Sequence, residues 1–430
     1  MKEMKDSGVE WIGKIPADWS MIRVKHAFIR KNEKAMQEEP IVLSLARSGV
    51  RVRDISNNEG QVAESYFNYN PVAEGDLLLN PMDLYSGANC SISHINGVIS
   101  PAYINLKSKE GFNPVFYDYY FKVQYWLMAF FSFGKGVSFD NRWTLSVETL
   151  MNYPLVILSY EEQCKRADYL ESECKKIDYI IAKQQEIIEK LKVYKQAIIT
   201  EAVTKGLNSD VEMKDSGIEF IGRIPSTWKV CRLRNIGTPQ NGISKGGEFF
   251  GYGYPFVSYG DVYRNYTLPI HFDGLIDTTD NERKDYSVEK GDIFFTRTSE
   301  TVEEVGFSSV CEKTIPNATF AGFVIRVRPF DDTLYTGYSK YYFRSSHHRA
   351  FLVKEMNLVT RASLGQDLLK SMPVLVPPME EQKKIAEFLD KRCKAIDNAI
   401  ETKLKIIDKI TAYKKSLIYE VVTGKKEVHL

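Results

Sequence analysis

The longest stretch of regular hydrophobic spacing begins at Ser159 and runs to about residue 204 with no proline or glycine in it. Ser159 followed by Glu162 is a capping-box start, so the pattern predicts a single helix. Read at alternating steps of four and three, it gives Leu170, Cys174, Ile177, Ile181, Gln184, Ile188, Leu191, Lys195, Ile198 and Ala202, a heptad seam sustained over more than four repeats. A second seam of the same form follows near the end of the chain: Leu389, Cys393, Ile396, Ile400, Lys403, Ile407, Ile410, Lys414, Leu417 and Val421. Such stripes need burial. Pairing within the chain is the economical solution, and pairing between two chains is the alternative. Polar residues fall at the same two steps of both seams, Gln184 with Lys403 and Lys195 with Lys414, where they can set register.

The two seams belong to a larger duplication. MKDSGVEWIGKIPADW at residues 4–19 returns as MKDSGIEFIGRIPSTW at 213–228, with eleven of the sixteen positions identical. From Pro154 and Pro373 onward the helical blocks stay in register at an offset of 219 through Glu162/Glu381, Gln163/Gln382 and Asp178/Asp397 to Thr204/Thr423. Between these flanks lie two unlike inserts, residues 20–150 and 229–370, which share little beyond Gly75-Asp76 with Gly291-Asp292, and Arg142, Leu145 and Leu150 with Arg361, Leu364 and Leu369.

Each insert mixes β-rich runs (41–45, 75–79 and 97–106; 254–259, 291–296 and 322–327) with one helical stretch, 115–129 or 339–353. The expected fold is therefore α+β: two globular domains joined by two long antiparallel helices in an intramolecular coiled coil, with pseudo-two-fold symmetry. The boundaries are 1–158 for the first domain, 159–207 for the first helix, 208–377 for the second domain and 378–430 for the second helix and tail. The expected helix-pair interface is Leu170, Ile177, Ile181, Ile188, Leu191, Ile198, Leu389, Ile396, Ile400, Ile407, Ile410 and Leu417.

Charge narrows the choice of partners. Lys plus Arg total 57 against 56 for Asp plus Glu, too balanced for a protein that neutralises phosphates unaided. Even so, loop-borne basic, amide and hydroxyl groups suit groove reading, since Arg matches guanine and Asn matches adenine. The candidates are Arg47, Arg51, Arg53, Asn80, Tyr85, Asn89, Lys135, Asn141 and Arg142 in the first insert, and Asn241, Lys245, Arg264, Arg297, Thr298, Arg344 and Arg361 in the second. Any one of these arginines is more often a solvated charge or a local ion pair. Arg142 and Arg361 match across the repeat, which suits a shared role better than sequence reading.

The six cysteines are scattered without metal-ligand spacing, so they read as free thiols and no metal site is expected. No apolar run is long enough to span a bilayer, and the expected location is cytoplasmic. Asn80-Pro81-Met82-Asp83 resembles the opening of the methyltransferase Asn-Pro-Pro-Tyr motif but lacks its second proline and aromatic ring, and no glycine-rich turn suits a cofactor. The chain is expected to be non-catalytic.

The duplicated MKDSG(V/I)E(W/F)IG(K/R)IP block and the Pro-to-Glu-Gln opening of each helix resemble the specificity (S) subunit of type I restriction-modification enzymes over essentially the whole chain. The resemblance implies that each recognition domain reads one half of a split, asymmetric target in double-stranded DNA, and that the helices set the unread gap. It also implies two modification (methyltransferase) subunits docked on the chain, to which two restriction translocase-nuclease subunits can be added. S-adenosylmethionine, ATP and magnesium would then belong to those partners, with no cofactor in this chain. The competing expectations are a protein-binding coiled-coil scaffold without DNA specificity and, more remotely, an autonomous methyltransferase.

Overall fold

The computed structural model describes residues 3–428 apart from 56–62, 83, 85–88, 137–142, 300–304 and 356–361, and leaves out the side chains of 299, 355 and 362. The chain forms two compact units, one of residues 1–184 with 404–430, the other of residues 185–403. Each unit takes one insert together with a stretch of both long helices.

In the first unit the repeated opening segment folds back on itself, Met4–Asp6 pairing with Lys14–Pro16. Gly8 and Gly13 take positive φ at the bends, and Ile12, Ile15 and Trp19 point into the core. The strand Ser20–Arg23 then pairs with Pro154–Ile157, so the two ends of the insert are stitched together before the long helix begins. The insert carries an antiparallel sheet of β1 (Phe28–Lys31), β2 (Leu77–Leu79), β3 (Cys90–Ile92) and β4 (Ile104–Ser108), in the order β1-β4-β2-β3. The run expected to be continuous over 97–106 is two strands, because a turn closed by Tyr103 N–H on the Ser100 carbonyl at 3.0 Å interrupts it.

The second unit repeats the plan with a different sequence. Its sheet holds β5 (Gly237–Asn241), β6 (Ile293–Thr296), β7 (Ser308–Val310) and β8 (Val324–Pro329), in the order β5-β8-β6-β7, again antiparallel throughout. The strand Lys229–Arg232 pairs with Pro373–Val376, as its counterpart does in the first unit. The helical stretch over 339–353 is broken into Thr336–Tyr342 and Ser346–Glu355. The break holds Arg344, whose guanidinium is drawn away to the carbonyls of Ser308, Val262, Tyr263 and Asn265 at 2.6–2.9 Å.

Helix α1 spans Tyr160–Lys205 and helix α2 spans Met379–Val422. Within the first unit Asp178 of α1 meets Lys414 of α2 at 2.6 Å, while Arg166, nearer the start of α1, reaches the Val421 carbonyl near the end of α2. Within the second, Lys195 meets Asp397 at 2.7 Å, and Gly206 just past α1 approaches Glu381 near the start of α2. In both units the helices run antiparallel. Leu170, Ile177, Ile188, Leu389, Ile396 and Leu417 are buried, and Ile181, Leu191, Ile198, Ile400, Ile407 and Ile410 are half-buried. Between residues 175 and 194 the only positions not exposed are Ile177, Ile181, Gln184, Ile188 and Leu191, the seam of the heptad reading.

Two matched pairs of residues tie each helix opening to its insert. Gln163 and Gln382 are buried: Gln163 donates to the Leu158 and Gly111 carbonyls and accepts from Asn113 N–H, while Gln382 donates to the Pro377 and Thr333 carbonyls and accepts from Tyr335 N–H. Each glutamine thus ties a long helix to the shorter helix of its insert. Tyr117 and Tyr338 complete that tie by donating to the carbonyls of Val156 and Leu375, and burial raises both phenols well above their ordinary range, keeping them neutral donors.

Candidate nucleic-acid interface

The sheets of the two units superpose by register. Leu79 of β2 faces Ile104 of β4, and Phe295 of β6 faces Ile325 of β8. The shared Gly-Asp pair opens the second strand of each: Ala73 N–H bonds the Asp76 carboxylate and Glu289 N–H that of Asp292, both at 2.8 Å. Lys31 and Asn105 neutralise and bond Asp76, and Arg328 clasps Asp292 at 2.7 and 2.8 Å. Both aspartates are buried, so the Gly-Asp match is a structural turn.

The opposite end of each sheet gathers sequence-distant candidates. In the first unit Asn80 N–H bonds the Asn89 carbonyl at 2.8 Å where β2 passes to β3, and Leu145 N–H bonds the Pro81 carbonyl. In the second, Asn241 ends β5, Arg297 and Thr298 follow β6, and Leu364 N–H bonds the Arg297 carbonyl at 2.7 Å. One scaffold position therefore carries Pro81 in one unit and Arg297 in the other. Asn89 and Asn241 each have a buried side-chain oxygen with no hydrogen-bond partner among the described residues, an arrangement that protein interiors avoid.

Arg47, Arg51 and Arg53 lie on or beside one hairpin, Leu43–Ala46 with Gly49–Val52, which backs onto β3: a Cβ at Gly49 would lie 3.4 Å from the Ser91 hydroxyl. Arg47 and Arg51 are exposed there and Arg53 is half-buried. Lys135 is exposed beside its backbone bridge to Thr144. Arg264 is exposed on the helix Tyr259–Arg264.

Other candidates are committed to the fold. Lys245 bonds the Asp277 carbonyl at 2.9 Å and Glu282 at 2.7 Å. Arg344 serves four carbonyls and lies over the Tyr266 and Phe307 rings, and burial lowers its guanidinium to about 10. Asn80 caps Met82 N–H with its side chain and receives the Tyr125 hydroxyl on its carbonyl. Tyr85, Asn141, Arg142 and Arg361 lie outside the described residues, as do Asp83 of the Asn-Pro-Met-Asp stretch and Ser86. Among the described residues there is no cluster able to hold a metal ion, and no helix is long and apolar enough to cross a membrane. All six cysteines are free.

The two antiparallel sheets thus share one topology and carry differently dressed strand ends. Residues 225–412 match the family model of the type I restriction modification DNA specificity domain. Over 96% of its length the chain is 23% identical to the type I restriction enzyme MjaVIII specificity subunit of Methanocaldococcus jannaschii, covering 94% of that protein, and it is 23% identical to the EcoBI specificity subunit of Escherichia coli over 82% of this chain and 75% of that one. The fold matches a chain from a structure of complex assembly and conformational transition of the type I R-M system, with a TM-score of 0.71 at 14% identity over 96% of this chain and 99% of that one. It also matches the HsdS subunit from Thermoanaerobacter tengcongensis, with a TM-score of 0.51 at 13% identity, covering 96% and 98% of the two chains.

Proposed function

We propose that this chain is the non-catalytic, sequence-reading subunit of a type I restriction-modification complex, and that its two inserts each read one half of a bipartite target in double-stranded DNA. The observation that carries this reading is the repeated scaffold with unlike edges. The Gly-Asp turn, the sheet order and the helix ties match between units, while the residues at the strand ends, such as the buried Pro81 and the half-buried Arg297, do not. Selection for two different half-sites on one framework produces that combination.

On this reading the recognition domains are 1–158 and 208–377 and the spacer helices 159–207 and 378–430. A helix of 46 residues is roughly 70 Å long at 1.5 Å per residue, which matches about two turns of duplex. Modification subunits dock on the chain, restriction subunits add to them, and these partners supply S-adenosylmethionine, ATP and magnesium. Their cations would supply the phosphate-neutralising charge that a net formal charge of +1 does not.

The test is to map N6-methyladenine in cells carrying this chain with its modification subunit, then to exchange residues 20–150 for the corresponding insert of a relative. One half of the methylated motif should change while the other half and the gap persist. A change in both halves, or in neither, would overturn the reading.

A further inference from the structure

The turn that interrupts the strand run in each unit occupies one scaffold position. In the first unit it is Ser100-Pro101-Ala102-Tyr103, closed by Tyr103 N–H on the Ser100 carbonyl, and in the second it is Ala321-Gly322-Phe323-Val324, closed by Val324 N–H on the Ala321 carbonyl at 2.9 Å. Each lies immediately before the strand, β4 or β8, that runs through the middle of its sheet. Where the first unit shows alanine, the second shows a phenylalanine that is 64% exposed. Exposure alone says little, because other large apolar side chains of the chain are also exposed. Its setting says more.

Phe323 stands on a fixed base. Its carbonyl accepts Arg297 N–H at 2.9 Å, and Gly322 N–H bonds the Ile243 carbonyl at 2.8 Å. Gly242 is backed against the same turn so closely that a Cβ there would lie 2.1 Å from the Ala321 oxygen. Around it sit Arg297, whose guanidinium reaches the Gly322 carbonyl at 3.4 Å, Thr298, and Asn241, whose buried amide oxygen has no hydrogen-bond partner among the described residues. A rigid ring loses little conformational freedom on binding, and the groups around it are the hydrogen-bonding types that read base edges.

Given the function proposed above, we infer that Phe323 is a specificity-determining residue that packs on the 5-methyl group of a thymine in the half-site read by the second unit. A wedge that unstacks base pairs is the other use of an exposed phenylalanine on DNA, and the unstacking readout below separates the two. The first unit, with Ala102 at the same point, reads its half-site without this contact.

The test uses the full chain assembled with its modification subunits and oligonucleotides of the mapped target in which each thymine of the second half-site is replaced in turn by deoxyuridine. With the wild-type chain, one replacement should slow methylation about fourfold, the worth of one buried methyl group. Phe323→Ala should lose that response, tolerate a second base at the same position and leave the first half-site unchanged, while Phe323→Leu should keep part of the response. Unfolding midpoints of both variants matching wild type exclude a folding defect. If Phe323→Ala keeps the wild-type deoxyuridine response, or if 2-aminopurine beside the contacted step reports unstacking that Phe323→Ala abolishes, the inference fails while the S-subunit reading stands. If the wild-type assembly methylates no bipartite target, it is the function itself that fails.

Discussion

Lys195 Nζ lies 2.7 Å from the Asp397 carboxylate, and each residue is the repeat counterpart of a partner in a second such pair, Lys414 with Asp178 at 2.6 Å. A lysine in this largely apolar seam is tolerated because its ammonium leaves the seam to meet an acid on the facing helix. The carboxylates are more than half exposed, so each pair contributes modestly. Lys414→Glu, which sets like charges together, should destabilise the first unit by about 1 kcal/mol, and adding Asp178→Lys should recover most of that. Thermal unfolding of the two variants beside Asp178→Lys alone completes the cycle; full additivity would mean that the pair does not couple.

The matched tryptophans are held differently. Trp228 donates its indole N–H to Glu381 at 2.9 Å. In the first unit Arg166 takes the equivalent Glu162 at 2.8 Å and lies over the Trp19 ring, leaving the Trp19 indole N–H without a partner among the described residues. Arg166 also donates to the Val421 and Lys426 carbonyls, anchoring the segment after α2. The second unit has Ile385 at this position. Arg166→Ile should therefore let Trp19 recover its glutamate while freeing residues 425–428, seen as at least tenfold faster amide exchange there with little change in the core; unaltered exchange would show that Arg166 is not the anchor.

Both long helices end at a glycine of positive φ, Gly206 at 76° and Gly424 at 75°. A Cβ at Gly424 would lie 2.4 Å from the Pro16 ring, whereas at Gly206 the nearest atom, at 2.8 Å, is the end of the Glu381 side chain. Gly424→Ala should lower stability by about 2 kcal/mol and Gly206→Ala by about 1 kcal/mol, the difference being a fixed ring against a mobile carboxylate. Equal losses in denaturant unfolding would refute that explanation.

His348 is buried between the Phe295 and Phe343 rings, and burial, with Arg349 nearby, lowers its imidazole to about 3. Its unfolded value is about 6.5, so at pH values between the two the unfolded chain binds the extra proton. The stability from keeping this ring neutral is complete above that unfolded value and is lost as pH falls towards 3, by up to about 1.4 kcal/mol per pH unit. His348→Phe should flatten the acid limb of a stability–pH curve, and an unchanged limb would assign the acid sensitivity to other groups.

The periodicity of α1 and α2, the polar positions in their seam, and the division into repeated flanks and unlike inserts were all legible in the residues, because a heptad and a tandem copy are local patterns that one chain displays in order. The candidate strand-end edge was legible only in part. Arg344 and Lys245 look like surface readers in sequence, yet the fold spends them on carbonyls and a carboxylate, because whether a cation meets water or a buried acceptor depends on segments 30 to 80 residues away. Nor could composition single out Phe323, since its significance lies in sharing a turn position with Ala102, and with the inserts so dissimilar that equivalence emerges only from hydrogen-bond register across two sheets. Sequence by itself determined the helices, the duplication and the kind of chemistry. Tertiary structure decided which side chains stand at the strand ends, because cross-strand pairing places them there and no local pattern encodes it.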